Sequence, residues 1–483
     1  MMVHIHYVDD VYIRIECDDG ISQELSDYFS FMVPNAKFMP SFRNKMWDGK
    51  IRLFNYRSKL LYSGLRLEVQ NFCKSRNYDY NEDAVFSADS FSVSEAKEYI
   101  SSLSLSMEPR DYQIEVFTKG IRDRRRLFLS PTASGKSFIM YLLTRYLNRK
   151  TLIIVPTVSL VSQMKTDFIN YDSTGEIVNE IHEIYAGKDK TNNKKIFIST
   201  WQSLYKLPKQ WFKDFDVVLG DECHLFKSDS LTNIMNKLTD CSYKFGFTGT
   251  LDGSLTNKMI LEGIFGPVEK VTTTATLMKE NHIANLNIKC IVLDYDEQTR
   301  KLMKNASYQE EIDFIIQKEE RNKFIANLAH SLNGNVLILF RYIEKQGDQL
   351  FGLINSKNKD RSGIYYVTGS MTGDKRNEIR SIVETQDRAI IAASIQTFGT
   401  GINIKNLHYI ILATPSKSKI TVLQSIGRGL RKSDTKSDAV WFDIADDLSW
   451  KSHKNHTLKH YAERVKLYNE ENFNYKQYKV SIK

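Results

Sequence analysis

The residues best equipped for chemistry in this 483-residue chain fall into four short constellations. Gly135-Lys136-Ser137 interrupts the stretch Leu127–Leu142, which reads as a short apolar strand, a tight turn and an amphipathic helix. Those three residue types at such a turn suit a phosphate. The glycine lets backbone approach it, the ammonium neutralises β/γ oxygens and the hydroxyl holds Mg²⁺. The helix starting there adds unpaired N–H groups and the positive end of its dipole. Ser130 stands where the first glycine of the full motif belongs. Farther along, Asp221-Glu222 supplies one carboxylate for a metal and a second to orient and deprotonate water. Upstream, Gln113 has an amide that can pair with both hydrogen-bonding edges of adenine, with Tyr112 or Arg110 against the base. Near the end, Gln424, Arg428 and Arg431 recur at i, i+4 and i+7, so one helical face would present cations to a γ-phosphate. Taken singly, each has a plain structural reading: a helix start, a capped strand end, a solvated basic face.

Positioning these groups takes parallel sheets. Apolar runs of strand length at Thr151–Val155, Ile196–Ser199, Asp216–Leu219 and Phe245–Thr248 each precede helical periodicity, the pattern of a sheet buried on both faces. Asp221 then falls just past the carboxyl end of a strand, the edge where open α/β sheets handle ligands. Between Thr256 and Ile291 the strand pattern lapses, which predicts the crossing into another lobe. Runs restart at Val336–Phe340, Ile364–Val367, Ala389–Ala393, Tyr409–Ala413 and Val440–Ile444. At the amino end, Val3–Glu16 alternates like a hairpin about Asp9-Asp10 and Ile21–Phe31 has helical spacing, together a small α+β module. Phe38–Leu67 interleaves cations, among them Arg43, Lys45 and Arg52, with aromatics such as Trp47. That mixture can hold phosphates and stack bases, or can be a twisted β-ribbon with charges outward. Trp47-Asp48-Gly49-Lys50 predicts a hairpin corner. Asn81–Met107 is polar and serine-rich, a linker with one short helix at Val93–Leu103.

Composition narrows the class. With 42% hydrophobic and 26% charged residues the chain is ordinary globular protein, long enough for about three domains. The net charge of +9, from 67 Lys and Arg against 58 Asp and Glu, suits a polyanionic partner or a solvated basic surface. No stretch reads as a membrane span, and the amino terminus lacks the basic and apolar regions of a secretion signal. Five scattered cysteines without a C-x-x-C pair fit a reducing compartment and exclude a cysteine zinc site.

The ordered set Arg110-Asp111-Tyr112-Gln113, Ser134-Gly135-Lys136-Ser137, Ile154-Val155-Pro156-Thr157, Asp221-Glu222-Cys223-His224, Thr248-Gly249-Thr250, Thr400-Gly401-Ile402-Asn403 and Gln424-x-x-Gly427-Arg428-x-x-Arg431 resembles the superfamily 2 helicases of the DExH type. Within them it is similar to the recombination and fork-remodelling helicases of T-even phages, over nearly the whole chain. The resemblance implies an α/β fold of two tandem RecA-like parallel-sheet lobes preceded by a small α+β domain. Its expected divisions are a substrate-recognition domain at 1–85, a linker at 86–107, an ATP-binding lobe at 108–277 and a second lobe at 278–483. It implies an ATP-hydrolysing enzyme with ATP and Mg²⁺ held by Arg110, Tyr112, Gln113, Thr132, Ser134, Gly135, Lys136, Ser137, Asp221 and Gly401. Glu222 would be the base, and Gln424, Arg428 and Arg431 would complete the site. His224, Thr248 and Thr250 would couple nucleotide state to the lobes. Pro156, Thr157, Thr200, Trp201, Gln202, Gly369 and Thr400 would touch the nucleic-acid backbone, with either Thr397 or Thr400 anchoring the motif of the second lobe. The implied partner is DNA, forked, branched or hybrid with RNA, together with replication or recombination proteins. The implied setting is the cytoplasm of a host cell, with no membrane and a monomer in solution. Two rivals stay open: a duplex translocase without strand separation, and an annealing protein with a vestigial ATPase.

Overall fold

The computed structural model describes residues 2–86, 89–251, 253–357, 361–399, 404, 406–431 and 436–482. The chain divides into two compact units, one of Met1–Ser130 with Gly135–Val271, the other of Thr272–Lys483 with the short piece Pro131–Ser134.

The first unit opens with the strands β1 (Met2–Tyr7), β2 (Tyr12–Glu16), β3 (Ser30–Met32), β4 (Lys50–Arg52), β5 (Leu60–Tyr62) and β6 (Asp79–Glu82). β1 and β2 form the expected hairpin, and the sheet order β5-β2-β1-β6 is mixed, with β1 and β6 parallel. The turn at Trp47–Lys50 is not a hairpin corner. The strand after it, β4, pairs antiparallel with β3, and the long connection 33–49 lies between them. Asp48 and Gly49 have turn chemistry, but pairing is decided by distant partners that a local pattern does not contain. The segment read as a linker carries the helix Val93–Ser102, closed by a Ser92/Glu95 capping box. Its Ala96 and Ile100, with Phe91, are buried in the core beneath the nucleotide-loop helix.

That core lies on a seven-stranded, all-parallel sheet of β7 (Arg125–Leu129), β8 (Thr151–Val155), β9 (Ile181–Ile184), β10 (Ile196–Thr200), β11 (Val217–Asp221), β12 (Tyr243–Thr248) and β13 (Val268–Lys270), in the order β13-β7-β12-β11-β8-β10-β9. β8, β10 and β11 are buried at every residue, as a sheet covered on both faces requires. Each Leu or Ile so enclosed contributes roughly 1.5–3 kcal/mol of burial. Helices pack on both faces, as the two separate hydrophobic clusters show.

The second unit has its own all-parallel sheet of β14 (Asn285–Asp294), β15 (Val336–Phe340), β16 (Ile364–Val367), β17 (Ile390–Ser394), β18 (Tyr409–Leu412), β19 (Asp438–Asp447) and β20 (Tyr475–Ser481), ordered β16-β17-β15-β18-β19-β14-β20. The passage Thr256–Ile291 is therefore not strandless. β13 closes one edge of the first sheet and β14 begins the second. Both escape the periodicity because β13 is short and polar, Val-Glu-Lys, and the start of β14 alternates with Asn and Lys. No helix among the described residues is long and apolar enough to cross a membrane.

Candidate nucleotide and nucleic-acid sites

Three adjacent strands of the first lobe end together. Leu129 closes β7 beside Thr248 at the end of β12, and Asp221 closes β11 beside Phe247. The Ser130 N–H donates to the Thr248 carbonyl at 2.8 Å, which ties the root of the phosphate loop to the neighbouring strand. Gly135 then takes φ 81°, a left-handed conformation that favours glycine, and starts the helix Lys136–Leu147 without a side-chain cap. A Cβ at Gly135 would lie 2.3 Å from Gln113 Nε2, so the residue is glycine for space as well as for torsion. The loop carries Thr132 and Ser134 between these fixed points, and Ser134 Oγ donates to the Pro131 carbonyl at 2.6 Å.

Gln113 is buried with its Oε1 accepting from the Arg110 N–H at 2.9 Å. Arg110 Nη1 in turn donates to the Tyr112 hydroxyl at 2.8 Å. The three residues expected to read a base are thus joined to one another, with the Gln113 amide beside the loop.

Lys136 Nζ lies 3.7 Å from Glu222 Oε1. Asp221 is buried, and its carboxyl is pushed up to about 6, first by desolvation and then by the adjacent Glu222 charge, with Lys136 pulling the other way. Glu222 sits at φ 48°, a strained backbone for a non-glycine residue, and its N–H donates to Asp221 Oδ1 at 3.0 Å. His224 Nδ1 is 3.3 Å from Glu222 Oε2 and 2.9 Å from Thr248 Oγ1. Thr248 Oγ1 donates to the Thr250 carbonyl at 3.0 Å, and Thr250 Oγ1 is buried with no hydrogen-bond partner among the described residues. A chain of contacts therefore runs from Lys136 through Glu222 and His224 to Thr248 and Thr250.

This donor set fits a metal held jointly by protein and phosphate. Two like-charged carboxyls stand side by side with one ammonium, a charge deficit that a divalent cation relieves. Among the described residues no group of three His, Cys, Asp or Glu forms a protein-only metal cage. Ser137, the expected hydroxyl ligand, has its Oγ 2.8 Å from the Tyr171 hydroxyl. Nothing in the local sequence marks Tyr171, which comes from the end of the next helix, Val158–Tyr171.

A second cluster forms where β8 and β10, paired with Val155 opposite Thr200, end side by side. Pro156 and Thr157 follow β8, and Thr157 caps the helix Val158–Tyr171 by accepting from the Leu160 N–H. Thr200 is buried with its Oγ1 3.1 Å from Ser203 Oγ, Trp201 is half-buried and Gln202 is exposed. The backbone-contact residues expected of the first lobe thus share one edge.

In the amino-terminal module the expected contacts divide. Arg43 and Lys45 are exposed. Arg52 is committed to Asp48, whose carboxyl its guanidinium holds down at about 2, and the Trp47 indole N–H donates to the Lys50 carbonyl at 2.9 Å. The same segment exposes two large apolar side chains, Met46 at 78% and Phe38 at 60%.

In the second lobe Gln424 and Arg428 lie on the helix Lys419–Gly429. Arg431 comes after its Leu430 cap, so the three do not share one helical face over i to i+7. A Cβ at Gly429 would meet Ile410 of β18 at 2.1 Å, and the helix ends at this residue, two short of Arg431. Arg428 stacks over the Phe398 ring at 5.7 Å, and buried Lys436 Nζ donates to the Arg431 carbonyl at 3.2 Å. Gly369 is exposed, and a Cβ there would meet Thr397 Oγ1 at 3.8 Å. Thr397 is buried, 2.6 Å from Ser394 Oγ. Thr400 and Gly401 lie outside the described residues.

Residues 2–83 match the family described as DNA helicase UvsW, N-terminal; residues 106–253 match Type III restriction enzyme, res subunit; residues 319–433 match Helicase conserved C-terminal domain. The ATP-dependent DNA helicase uvsW of Enterobacteria phage T4 is 36% identical over 509 residues, covering 100% of each chain. A crystal structure of T4 UvsW aligns over 100% of both chains with a TM-score of 0.53 at 35% identity. The DNA 3′-5′ translocase XPB2 of Sulfurisphaera tokodaii is 25% identical, over 68% of this chain and 80% of its own.

Proposed function

Because this chain belongs to the superfamily 2 helicases, in the family of T4 UvsW, we propose that it is a motor that remodels forked and junction DNA by hydrolysing ATP at the carboxyl edge of its first lobe. The chain is an ATP-dependent DNA helicase by family. The observation that supports the site is the convergence of Lys136, Asp221 and Glu222 where β7, β12 and β11 end, with Lys136 Nζ 3.7 Å from the Glu222 carboxylate.

The roles follow from the chemistry of each group. Lys136 neutralises the β/γ oxygens, and the helix behind it offers its first-turn N–H groups to the same phosphates. Gln113, with Arg110 and Tyr112, selects adenine. Asp221, together with Ser137, would hold Mg²⁺, whose bound charge offsets that building on the phosphates during transfer. Glu222 orients the attacking water and takes its proton. His224 joins Glu222 to Thr248, so a change in charge at the base is felt at the end of β12. Gln424, Arg428 and Arg431 act on the γ-phosphate from the second lobe. With catalytic groups split between lobes, ATP favours one lobe arrangement and its hydrolysis removes that preference.

DNA is held chiefly by its backbone. Pro156, Thr157, Thr200, Trp201 and Gln202 grip one strand from the first lobe, and Gly369, with Thr400, does so from the second. Arg43 and Lys45, beside exposed Phe38 and Met46, meet the branch point. The setting is a host-cell cytoplasm alongside replication or recombination proteins, with the enzyme acting as a monomer.

The experiment is fork unwinding measured together with ATP turnover, for the wild type and Lys136→Ala. Turnover stimulated by forked DNA, with strand separation lost in the variant, supports the proposal. Stimulated turnover without strand separation assigns the duplex translocase instead; the Sulfurisphaera tokodaii relative is named a DNA 3′-5′ translocase.

A further inference from the structure

A cavity of about 300 Å³ opens at the other end of the first lobe's sheet. Arg125 begins β7 there, Ser242 precedes β12, and Gly266 and Pro267 precede β13, so its floor is made of strand starts, away from the edge that carries Lys136. The amino-terminal module supplies the facing wall, including Tyr7, Arg66 and Phe86. None of these residues is used by the motor chemistry.

The walls hold more positive than negative charge. Arg66 has its own carboxylate, Glu82, at 2.7 Å, and Arg124 has Asp89 at 2.6 Å. The remaining cations must share. Asp123 serves both Arg126, at 2.6 Å, and Arg122, at 3.3 Å. Asp10 stands 3.6 Å from Arg125, whose Nη2 also donates to the Asp10 carbonyl. Five cations of the wall thus draw on four direct carboxylates. Burial without full compensation lowers Arg125.

The cavity also has an aromatic side. The Arg66 guanidinium lies over the Phe86 ring at 5.0 Å, and Tyr7 meets the same ring edge-on with centroids 6.0 Å apart. Guanidinium groups beside aromatic faces fit a phosphate that carries a base. A volume of this size is at the lower end of small-ligand pockets.

We propose that this cavity is a second nucleotide site, binding the phosphate of a nucleoside monophosphate against Arg122 and Arg125 with the base towards Tyr7 and Phe86. The phosphate comes either from a free nucleotide or from the 5′ end of a DNA strand. The site is independent of the motor reading, since it uses neither the phosphate loop nor the carboxylate pair.

The test is calorimetric titration of thymidine 5′-monophosphate into the full chain carrying Lys136→Ala, which weakens phosphate binding at the loop while the pyrimidine avoids the adenine-reading Gln113. One molecule is expected to bind. Adding Arg122→Ala, or Val85→Glu, which places a carboxylate at a half-exposed position on the cavity wall, is expected to weaken binding at least tenfold. In the Lys136-intact protein both changes are expected to leave ATP turnover within twofold, which shows that the fold persists. Competition by a 5′-phosphorylated oligonucleotide but not by its 5′-hydroxyl twin supports a strand end as the source, and competition by neither supports a free nucleotide. Absence of binding, binding unchanged in Val85→Glu, or equal competition by both oligonucleotides overturns the proposal.

Discussion

In the first lobe, buried Asp221 has another carboxylate, Glu222, beside it, and Lys136 Nζ lies 3.7 Å from Glu222. In the second lobe, buried Asp443 receives two bonds from Arg464, at 2.8 and 2.6 Å, and a third from the Tyr468 hydroxyl at 2.7 Å. Asp446 is served likewise by Arg321, at 2.8 and 3.0 Å, and by Tyr295 at 2.8 Å. The two sheets share strand number and direction, so the contrast lies in how charge is matched. A carboxylate whose partners close around it is part of the architecture. One left against a like charge at a strand end is held ready for a ligand.

Substitutions in the two lobes should therefore fail differently. Lys136→Ala is expected to reduce ATP turnover by about a thousandfold or more, removing phosphate stabilisation of roughly 4 kcal/mol, with thermal unfolding little changed. Steady-state ATP turnover and a melting curve on the same preparation check both halves. Arg464→Ala should do the reverse. It strands a buried Asp443 and is expected to destabilise the second lobe by about 3–5 kcal/mol, read as a lower denaturant midpoint.

A finer distinction comes from Asp221 itself. Its folded pKa is raised, so the protonated form is favoured by folding. The associated stability is full below the unfolded value near 4 and is lost as pH rises through about 6. Asp221→Asn is accordingly expected to raise ligand-free stability at neutral pH by on the order of 1–3 kcal/mol while abolishing turnover. Equal stability of Asp221→Asn and wild type at pH 8 would break the contrast between the lobes. The smallest effect is expected at the exposed module, where Lys45→Ala should weaken DNA binding by a few fold and lower its salt dependence by about one counterion, measured by fluorescence anisotropy across a salt series.

The sequence showed the sheets more clearly than their edges. β8 and β15 begin and end where their apolar runs do, because a continuous apolar run between polar breaks is what a parallel strand buried on both faces requires. β13 and β20 are edge strands that carry charged residues and few buried ones, so their burial signal is weak. The grouping of Lys136 with Asp221 and Glu222 was legible because strand ends converge in this topology. The Ser137 bond to Tyr171, the pairing of Arg52 with Asp48 and the end of the last motif helix before Arg431 depend on contacts or packing that no local spacing encodes.

The proposed ATP site at the carboxyl edge of the first lobe stands on Glu222 as its base. Glu222→Gln keeps shape and removes charge, so ATP binding and single-turnover hydrolysis should be measured together on this variant with forked DNA present. Retained ATP binding with hydrolysis slowed at least a hundredfold is the predicted result. Hydrolysis near the wild-type rate would contradict it and place the base elsewhere.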